Sequence, residues 1–220
     1  MWILPTRSRV KNCQRLISAF AATDTASPIY VRLDDNDPEL EQMADLPWPD
    51  YCEIVIGPQV RMRAAMEEML GRYPAEPWYG ILADDAIPRT FQWDQRLISA
   101  ASPADISYGD EVWEKKNRIC FPCVGGDLVR FVGFFGVPGV EHWGTDTLWE
   151  RLHHECGRNN KQADVVLEHA HFNFGQAPLD ETYAGTQQLK KQDKRAYRAW
   201  MDANFEDLKQ RVTAHFGWAQ

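Results

Sequence analysis

The stretch of residues 78–88 constrains the fold of this chain more than any other part of its sequence. An apolar run over 79–83 ends in two adjacent carboxylates, Asp84 and Asp85, and Pro88 follows shortly after them. A short run of bulky apolar residues is typical of a strand that is buried on both faces of an α/β sheet. Because open α/β sheets bind their ligands at the carboxyl ends of their strands, the two acids are predicted to lie at a ligand-binding edge.

Two carboxylates side by side at a buried edge repel each other unless a positive group lies between or beside them. A divalent cation supplies that charge, and hard oxygen ligands favour magnesium or manganese. In the alternative interpretation, Asp84 and Asp85 form a solvated turn or cap the helix that follows, and they bind no metal. The dipeptide alone leaves both interpretations open.

Length, charge and cysteine content limit the classes of function. The 220 residues suffice for one α/β domain with a buried core. A net charge of −8 argues against a general electrostatic interaction with nucleic acid, although locally gathered arginines could hold a small anion. No apolar run approaches the roughly 20 residues that span a bilayer, and no signal-peptide pattern is present. Five scattered cysteines fit a reduced protein, so the expected location is the cytoplasm.

Strands and helices are predicted to alternate along the chain. Short apolar runs predict strands over 2–4, 29–33, 52–56, 79–83, 106–110 and 163–172. Helical spacing of apolar residues predicts helices over 12–22, 38–44, 61–70, 91–101 and 147–156, and one or two amphipathic helices between 192 and 216. Strand, polar turn and helix in this order are typical of the βαβ units of an α/β fold.

Polar residues follow the first two strands at points where a phosphate or a ribose could bind. The turn after the first strand carries Arg7 and Arg9 and offers backbone N–H groups at a helix start. This combination suits a phosphate, but it also occurs in ordinary solvated loops. The second strand ends in Asp34 and Asp35, which can accept hydrogen bonds from ribose hydroxyls or cap the next helix.

Three further groups of side chains are candidates for a binding or catalytic site. Arg61 and Arg63 lie near a helix start, where the dipole disfavours cations unless a bound diphosphate compensates; the alternative is two solvent-exposed arginines. His169 and His171 stand two residues apart on a predicted strand, so both can face one divalent ion. Asp146 lies in the first turn of a helix, where it can serve as a cap, as a catalytic carboxylate, or as both.

A different metal arrangement is possible around the Cys120-x-x-Cys123 pair. His153, His154 and Cys156 could complete a structural zinc site with these two thiols. Zinc ribbons, however, use close and repeated ligand pairs on turns, and the second set here is broken and helical. The sequence therefore favours separate thiols over a zinc site.

Several of these features occur together in one known family. They are the turn over 4–9, the acid-ended second strand, residues 82–85, the helix start at Thr145 and Asp146, and the strand with His169 and His171. In this order they resemble the nucleotide-sugar glycosyltransferases of the GT-A fold. The tail after the histidines, with Gly175 and the run Asp-Glu-Thr-Tyr over 180–183, is similar to small glycosyltransferase-like proteins (family 2-like), including some encoded by bacteriophages.

The resemblance covers most of residues 1–185 and implies a catalytic domain over 1–185 with a mostly parallel central sheet flanked by helices. Residues 186–220 are then expected to form a helical appendage packed on that domain. The motif of the family has acids at its first and third positions. Ala83 occupies the place of the first acid here, so a strict metal requirement does not follow from the motif.

The resemblance also implies a reaction: transfer of a sugar from a nucleoside diphosphate sugar, preferably a UDP-sugar, to an acceptor hydroxyl. The residues expected to bind the donor are Pro5, Thr6, Arg7, Arg9, Asp34, Asp35, Arg63 and Asp84. Mn²⁺ or Mg²⁺ would be held by Asp85, His169 and His171, and would neutralise the leaving diphosphate. Asp146 would accept the proton of the acceptor as general base, which predicts an inverting enzyme.

Two other classes of protein share parts of this pattern. A sugar nucleotidyltransferase also uses sheet-edge acids and magnesium, but its phosphate loop typically contains glycines, which residues 5–9 lack. A non-catalytic nucleotide-sugar binding module would fit the missing first acid. Carbohydrate, lipid or protein is the expected acceptor; a modified DNA base fits the phage-like resemblance but not the acidic net charge.

Overall fold

The centre of the molecule is a sheet of eight strands. The computed structural model describes residues 1–101, 103–113, 118–156, 158, 160–177 and 179–218. The strands are β1 (Trp2–Thr6), β2 (Ile29–Asp34), β3 (Cys52–Gly57), β4 (Trp78–Ile81), β5 (Ala86–Pro88), β6 (Ile106–Asp110), β7 (Cys123–Gly125) and β8 (Lys161–His169). Their order in the sheet is β3-β2-β1-β4-β7-β6-β8-β5.

The first four strands run parallel and bring their carboxyl ends to one edge. Leu4 lies opposite Val31, and Val31 lies opposite Ile54, while β4 pairs with the other side of β1. Beyond β4 the sheet is mixed, because β7 runs antiparallel to β4 and β6, and β5 runs antiparallel to β8. β8 returns to a parallel pairing with β6. The prediction of an α/β fold with a mostly parallel central sheet is confirmed.

The helices between the strands cover both faces of this sheet. They are α1 (Val10–Ala22), α2 (Leu40–Ala44), α3 (Met62–Arg72), α4 (Trp93–Ala101), α5 (Gly126–Val132) and α6 (Thr147–Glu155). Successive side chains of a strand point to opposite faces, and accordingly Trp2 and Leu4 join one apolar cluster whereas Ile3 joins the other. On the first face, a Cβ atom at Gly80 would come within 2.0 Å of the Trp2 ring, so only glycine fits this contact.

The chain ends in one long helix, α7 (Glu181–Phe216), of 36 residues. It packs on the domain through apolar residues such as Met201 and Phe205, as expected for the predicted C-terminal helix. It begins well before residue 192, where the predicted helix starts. The prediction started too late because residues 184–195 are mostly polar and show no apolar periodicity. Within the described part of the chain, no helix has the length and apolar character needed to cross a membrane.

The helix α7 passes without interruption through the predicted boundary between residues 185 and 186. Asp180 caps its first turn by accepting a hydrogen bond from the backbone N–H of Tyr183 at 2.8 Å. The division into domains at 1–185 and 186–220 stays a prediction, and residues 219 and 220 lie outside the described residues. The first turn of α7 lies at the carboxyl edge of the sheet, where Tyr183 contacts Asp85 and Asp180 contacts Arg9.

Candidate active site

A cavity of about 500 Å³ opens at the carboxyl edge of the parallel strands. Its volume lies within the range of small-molecule sites in proteins, roughly 300–1,000 Å³. Ten of the residues predicted to form the site line this cavity: Pro5, Thr6, Arg7, Arg9, Asp34, Asp84, Asp85, Asp146, His169 and His171. Residues from β1, β2, the β4–β5 turn, the start of α6 and the end of β8 are thereby brought to one place.

The other two predicted donor-binding residues, Asp35 and Arg63, are not among the described residues that line the cavity. Asp35 is the first residue after β2, and its side chain is exposed. The side chain of Arg63 packs against Gly136, and its backbone N–H donates to Glu141 O at 3.1 Å. Arg61, which precedes the first turn of α3 in an extended conformation, lines the cavity in its place.

The turn between β1 and α1 is held by side chains from the second strand–helix pair. Ser8 adopts the left-handed region with φ +52°, which is uncommon for a residue other than glycine. Asp37 holds it there by accepting hydrogen bonds from both the backbone N–H and the hydroxyl of Ser8 at 2.7 Å. Arg7 donates to Asp34 at 3.1 Å, and Asp34 also accepts from Val60 N at 3.2 Å.

Asp84 lies at the centre of a buried network. It is 3% exposed and accepts hydrogen bonds from Arg9 Nη1 at 2.8 Å, Thr6 Oγ1 at 2.7 Å and Asn12 Nδ2 at 3.2 Å. Burial raises the pKa of Asp84 above its usual value, although the guanidinium of Arg9 acts in the opposite direction. Arg9 also donates from Nε and Nη2 to Asp180 at 3.0 Å, which ties the β1–α1 turn to the start of α7.

Asp85 lies beside the two predicted histidine ligands. Its ligand oxygen and one ring nitrogen each of His169 and His171 all lie within 4.8 Å of one another. The Nε2 atom of His169 is 3.7 Å from Asp85 Oδ2. One carboxylate and two imidazoles form a donor set that suits a divalent transition-metal ion such as Mn²⁺. The residues at this position therefore fit the metal that the GT-A resemblance implies.

Tyr183, on the first turn of α7, reaches the same carboxylate. Its hydroxyl donates to Asp85 Oδ2 at 2.6 Å, and its ring lies 4.6 Å from the ring of His171 and 3.8 Å from the guanidinium of Arg9. Burial, together with the charge of Asp85, raises the pKa of Tyr183, so the hydroxyl stays protonated and donates. The first turn of α7 thus contacts both the candidate metal ligands and the arginine beside them.

Asp146 faces an arginine rather than the backbone of its own helix. It stands at the N-cap position of α6 without a capping hydrogen bond from its side chain. Arg118 Nη2 donates to Asp146 Oδ2 at 3.1 Å, and Arg118 Nη1 donates to Glu150 Oε2 at 2.9 Å. Because its carboxylate does not serve as a helix cap here, Asp146 can act on a ligand in the cavity.

The zinc arrangement considered for the cysteine pair is not formed among the described residues. Cys123 is fully buried within β7, and Cys156 ends α6 beside Thr213 of α7. The groups of potential metal ligands in the described ranges are Asp85 with His169 and His171, and Glu111 with Cys120 and His169. Cys120 therefore takes part in a group, but with partners other than those expected.

The cavity is much richer in cationic groups than the net charge of the chain suggests. It is lined by five arginines, Arg7, Arg9, Arg32, Arg61 and Arg118. Five carboxylates accompany them: Asp34, Asp84, Asp85, Asp146 and Glu181. Arg61 makes no ion pair with any residue of the described ranges, and it is exposed. An anionic ligand would meet at least this one uncompensated guanidinium.

Sequence reasoning missed several residues that shape this cavity. Arg118 and Trp143 carried no recognisable motif. Asp180 and Tyr183 did stand in a run that resembled glycosyltransferase-like tails, but neither was given a role. Nothing in a single sequence says that a tyrosine 98 positions after Asp85 binds its carboxylate, because that contact depends on where α7 packs.

The fold is similar to those of solved transferases, although no protein-family profile and no curated protein matches the sequence. A mannosyltransferase from Pyrobaculum calidifontis, in complex with GDP-Man and Mn²⁺, matches with a TM-score of 0.53 at 13% identity over 76% of this chain and 55% of that one. TarS from S. aureus matches with a TM-score of 0.50 at 12% identity over 76% and 34%. A nucleotidyl transferase from Methanothermobacter gives 0.46 at 12% identity over 88% and 97%.

This chain therefore spans about half of the first structure and about a third of the second. At these identities the likeness concerns the fold and leaves the reaction open. The strand order, the helices on both faces and the helical C-terminus together are a GT-A-like fold of the kind found in nucleotide-sugar transferases.

Proposed function

We propose that this protein is a glycosyltransferase that moves a sugar from a nucleoside diphosphate sugar to an acceptor hydroxyl. The observation that carries the proposal is the meeting of Asp85, His169 and His171 within 4.8 Å, inside a cavity also lined by arginines. A metal-ligand set beside cationic side chains suits a diphosphate, whose charge both can neutralise. Both features lie at the carboxyl edge of the parallel strands, where open α/β sheets bind ligands, and this supports the proposal.

The donor is best accommodated by the residues around the β1–α1 turn and the start of α3. Of the arginines beside this turn and this helix start, Arg7 and Arg61 retain exposure, whereas Arg9 is enclosed by Asp84 and Asp180. Asp34, at the end of β2, would accept a hydrogen bond from a ribose hydroxyl or a base. A UDP-sugar is the preferred donor, and Arg61 replaces Arg63 as the proposed diphosphate contact.

Asp85, His169 and His171 would hold the metal, Mn²⁺ rather than Mg²⁺ because two of the three ligands are imidazoles. When bound, such an ion stabilises the negative charge that develops on the leaving diphosphate. The hydroxyl of Tyr183 donates to Asp85 Oδ2, so an ion at that oxygen would compete with this hydrogen bond for its electron density.

Asp146 would act as the general base of an inverting transfer. The acceptor oxygen attacks the anomeric carbon, the bond from that carbon to the diphosphate oxygen breaks, and the nucleoside diphosphate leaves with the bonding electrons. Asp146 accepts the proton of the acceptor hydroxyl. Arg118, whose Nη2 donates to Asp146 Oδ2 at 3.1 Å, fixes the orientation of the carboxylate.

The experiment that tests the proposal has a binding step and a product step. Thermal-shift measurements with nucleotides and nucleotide sugars, with and without Mn²⁺, should show stabilisation by one donor class that metal strengthens. The stabilising donor is then incubated with the protein, and the products are separated. Release of nucleoside diphosphate and free or transferred sugar is the expected result.

Two results would redirect the proposal. Formation of a nucleotide sugar and pyrophosphate from a nucleoside triphosphate and a sugar phosphate would identify a nucleotidyltransferase. Tight donor binding without any turnover, even slow hydrolysis, would identify a binding module. The donor class then directs the search for the acceptor. Carbohydrate, lipid and protein acceptors are tested before a modified DNA base, because the chain carries a net charge of −8.

A further inference from the structure

A second group of potential metal ligands shares His169 with the candidate metal ligands. Glu111 follows β6, Cys120 precedes β7, and His169 ends β8. A carboxylate oxygen of Glu111, the thiol sulfur of Cys120 and a ring nitrogen of His169 all lie within 4.8 Å of one another. Two parts of the chain, one with Glu111 and Cys120 and the other with His169, thus bring three different kinds of metal ligand together, and the proposed function uses only His169.

The carboxylate of Glu111 is the most deeply buried member of this group. The residue is 4% exposed, and its Oε1 atom accepts hydrogen bonds from the backbone N–H groups of Cys120 at 2.5 Å and Phe121 at 3.3 Å. Its Oε2 atom is also buried, and no described residue donates a hydrogen bond to it. Leaving a buried acceptor without a partner costs about 1–3 kcal/mol, and more when the group is charged. A cation would offset that cost.

We infer that Glu111, Cys120 and His169 form a second metal site, selective for zinc or a similarly thiophilic divalent ion. A thiolate and an imidazole favour zinc over the harder Mn²⁺ and Mg²⁺, whereas the first group offers no sulfur. Three protein ligands leave a fourth position open, as in zinc sites that exchange a ligand. Cys120 also lines the cavity, so an ion can reach the site from solvent.

The two groups share His169, whose Nε2 atom is 3.7 Å from Asp85 Oδ2. An ion bound through Glu111 and Cys120 therefore draws on a residue that the first metal group also needs. Zinc should accordingly lower the affinity of the first group for Mn²⁺, and so inhibit the Mn²⁺-dependent reaction. This consequence rests on the proposed function; the zinc site itself does not.

Cobalt provides the direct test, because a Co²⁺–thiolate bond gives a charge-transfer absorption in the near ultraviolet that oxygen and nitrogen ligands do not give. Metal-free protein is titrated with Co²⁺ and then with Zn²⁺. The wild-type protein should develop the band at one equivalent and lose it when zinc displaces cobalt. The Cys120→Ser variant should give no band, whereas Cys52→Ser, which alters a thiol on the edge strand β3, should give the full band.

Affinity measurements separate the two groups. Loss of an outer-sphere partner alone typically costs 10–100-fold in metal affinity, so loss of a ligand should cost at least about tenfold. Cys120→Ser should therefore weaken Zn²⁺ binding at least about tenfold and leave Mn²⁺ binding essentially unchanged. His171→Ala, which removes a ligand of the first group only, should do the reverse.

Two outcomes overturn the inference. One is a wild-type protein that binds Co²⁺ without the charge-transfer band. The other is zinc binding that survives Cys120→Ser but is lost in His171→Ala, which would place the ion in the first group. If Cys120→Ser does not fold, alkylation of the wild-type thiol decides: zinc must protect Cys120, and no protection rejects the site. None of these readouts needs a sugar donor, so they stay valid if the proposed reaction fails.

Discussion

The hydroxyl of Tyr183 donates to Asp85 Oδ2 at 2.6 Å, across 98 residues of sequence. This bond brings the first turn of the C-terminal helix into contact with the carboxylate that is proposed to bind metal. At the same turn, Asp180 accepts a hydrogen bond from Arg9, and Thr182 donates one to the backbone carbonyl of Arg7 at 3.1 Å. The start of α7 therefore competes with the metal for Asp85.

We expect Tyr183→Phe to destabilise the metal-free protein and to tighten metal binding. Removing the hydroxyl leaves a buried carboxylate oxygen without its donor, which costs about 1–3 kcal/mol of folding stability. The ion no longer competes with that hydrogen bond for the oxygen, so Mn²⁺ affinity should rise up to about tenfold, or about 1.4 kcal/mol. Denaturant unfolding and calorimetric Mn²⁺ titration measure the two effects. Weaker Mn²⁺ binding in the variant would show that Tyr183 supports the ion instead.

The neighbouring acids Asp84 and Asp85 should respond differently to the same substitution. Asp85→Asn should abolish Mn²⁺-dependent stabilisation and donor turnover and leave the fold intact, because it removes a charged metal ligand. Asp84→Asn should lower the free energy of unfolding by about 1–3 kcal/mol, because both buried oxygens of Asp84 accept hydrogen bonds and an amide keeps only one acceptor. Thermal unfolding with and without Mn²⁺ separates the two. Equal metal responses in both variants would contradict this assignment.

Asp146→Asn tests the proposed base. The variant should bind donor and Mn²⁺ with wild-type affinity, because Asp146 is not part of the metal group. Transfer to an acceptor should fall about 10²–10⁴-fold, the usual contribution of general base catalysis. Glu150→Gln is the matched control, because Glu150 accepts from the same Arg118 side chain without lining the cavity. Unchanged transfer in Asp146→Asn, measured at saturating donor, would remove the residue from the mechanism.

Whether a site residue can be predicted from a single sequence depends on the secondary-structure element that carries it. Asp84, Asp85 and Asp34 were predictable, because strand ends in a parallel sheet must meet at one edge. The sequence pattern does not say which of Arg61 and Arg63 faces the cavity, because two residues along a helix turn the side chain by about 200°. The periodicity signal fails most clearly at the start of α7, where polar residues form a helix that tertiary contacts hold in place.

Asp193 shows what α7 contributes on the other side of the cavity. Its carboxylate is fully buried and accepts three backbone N–H groups, from Glu141 at 3.0 Å, His142 at 2.9 Å and Trp143 at 2.8 Å. These residues begin the segment that leads to Asp146, so a side chain of the C-terminal helix holds the segment with the proposed base in place.

Asp193→Asn should therefore impair transfer more than donor binding. Both carboxylate oxygens accept hydrogen bonds, so an amide must turn its NH₂ group toward a backbone N–H, at a cost of about 2–3 kcal/mol. The segment shifts, and the rate of transfer should fall at least about tenfold with donor affinity retained. Asp94→Asn is the control: that fully buried carboxylate holds Ala26 N and Ser27 N, neither of which lines the cavity. A loss of transfer in both variants would indicate general destabilisation.

His153 predicts how the stability of the whole fold depends on pH. The residue is fully buried against Tyr108, with ring centroids 5.3 Å apart, and burial, aided by His154, lowers its pKa from 6.5 to about 4. The unfolded chain takes up this proton below about pH 6.5 and the folded chain does not until about pH 4, so stability falls with falling pH between these values. At pH 5 the loss should be about 2 kcal/mol relative to pH 7. Urea unfolding at both pH values should show a smaller loss of stability in His153→Phe. The loss should be retained in the control His215→Phe, because His215 is exposed. An unchanged pH dependence in His153→Phe would contradict the assignment.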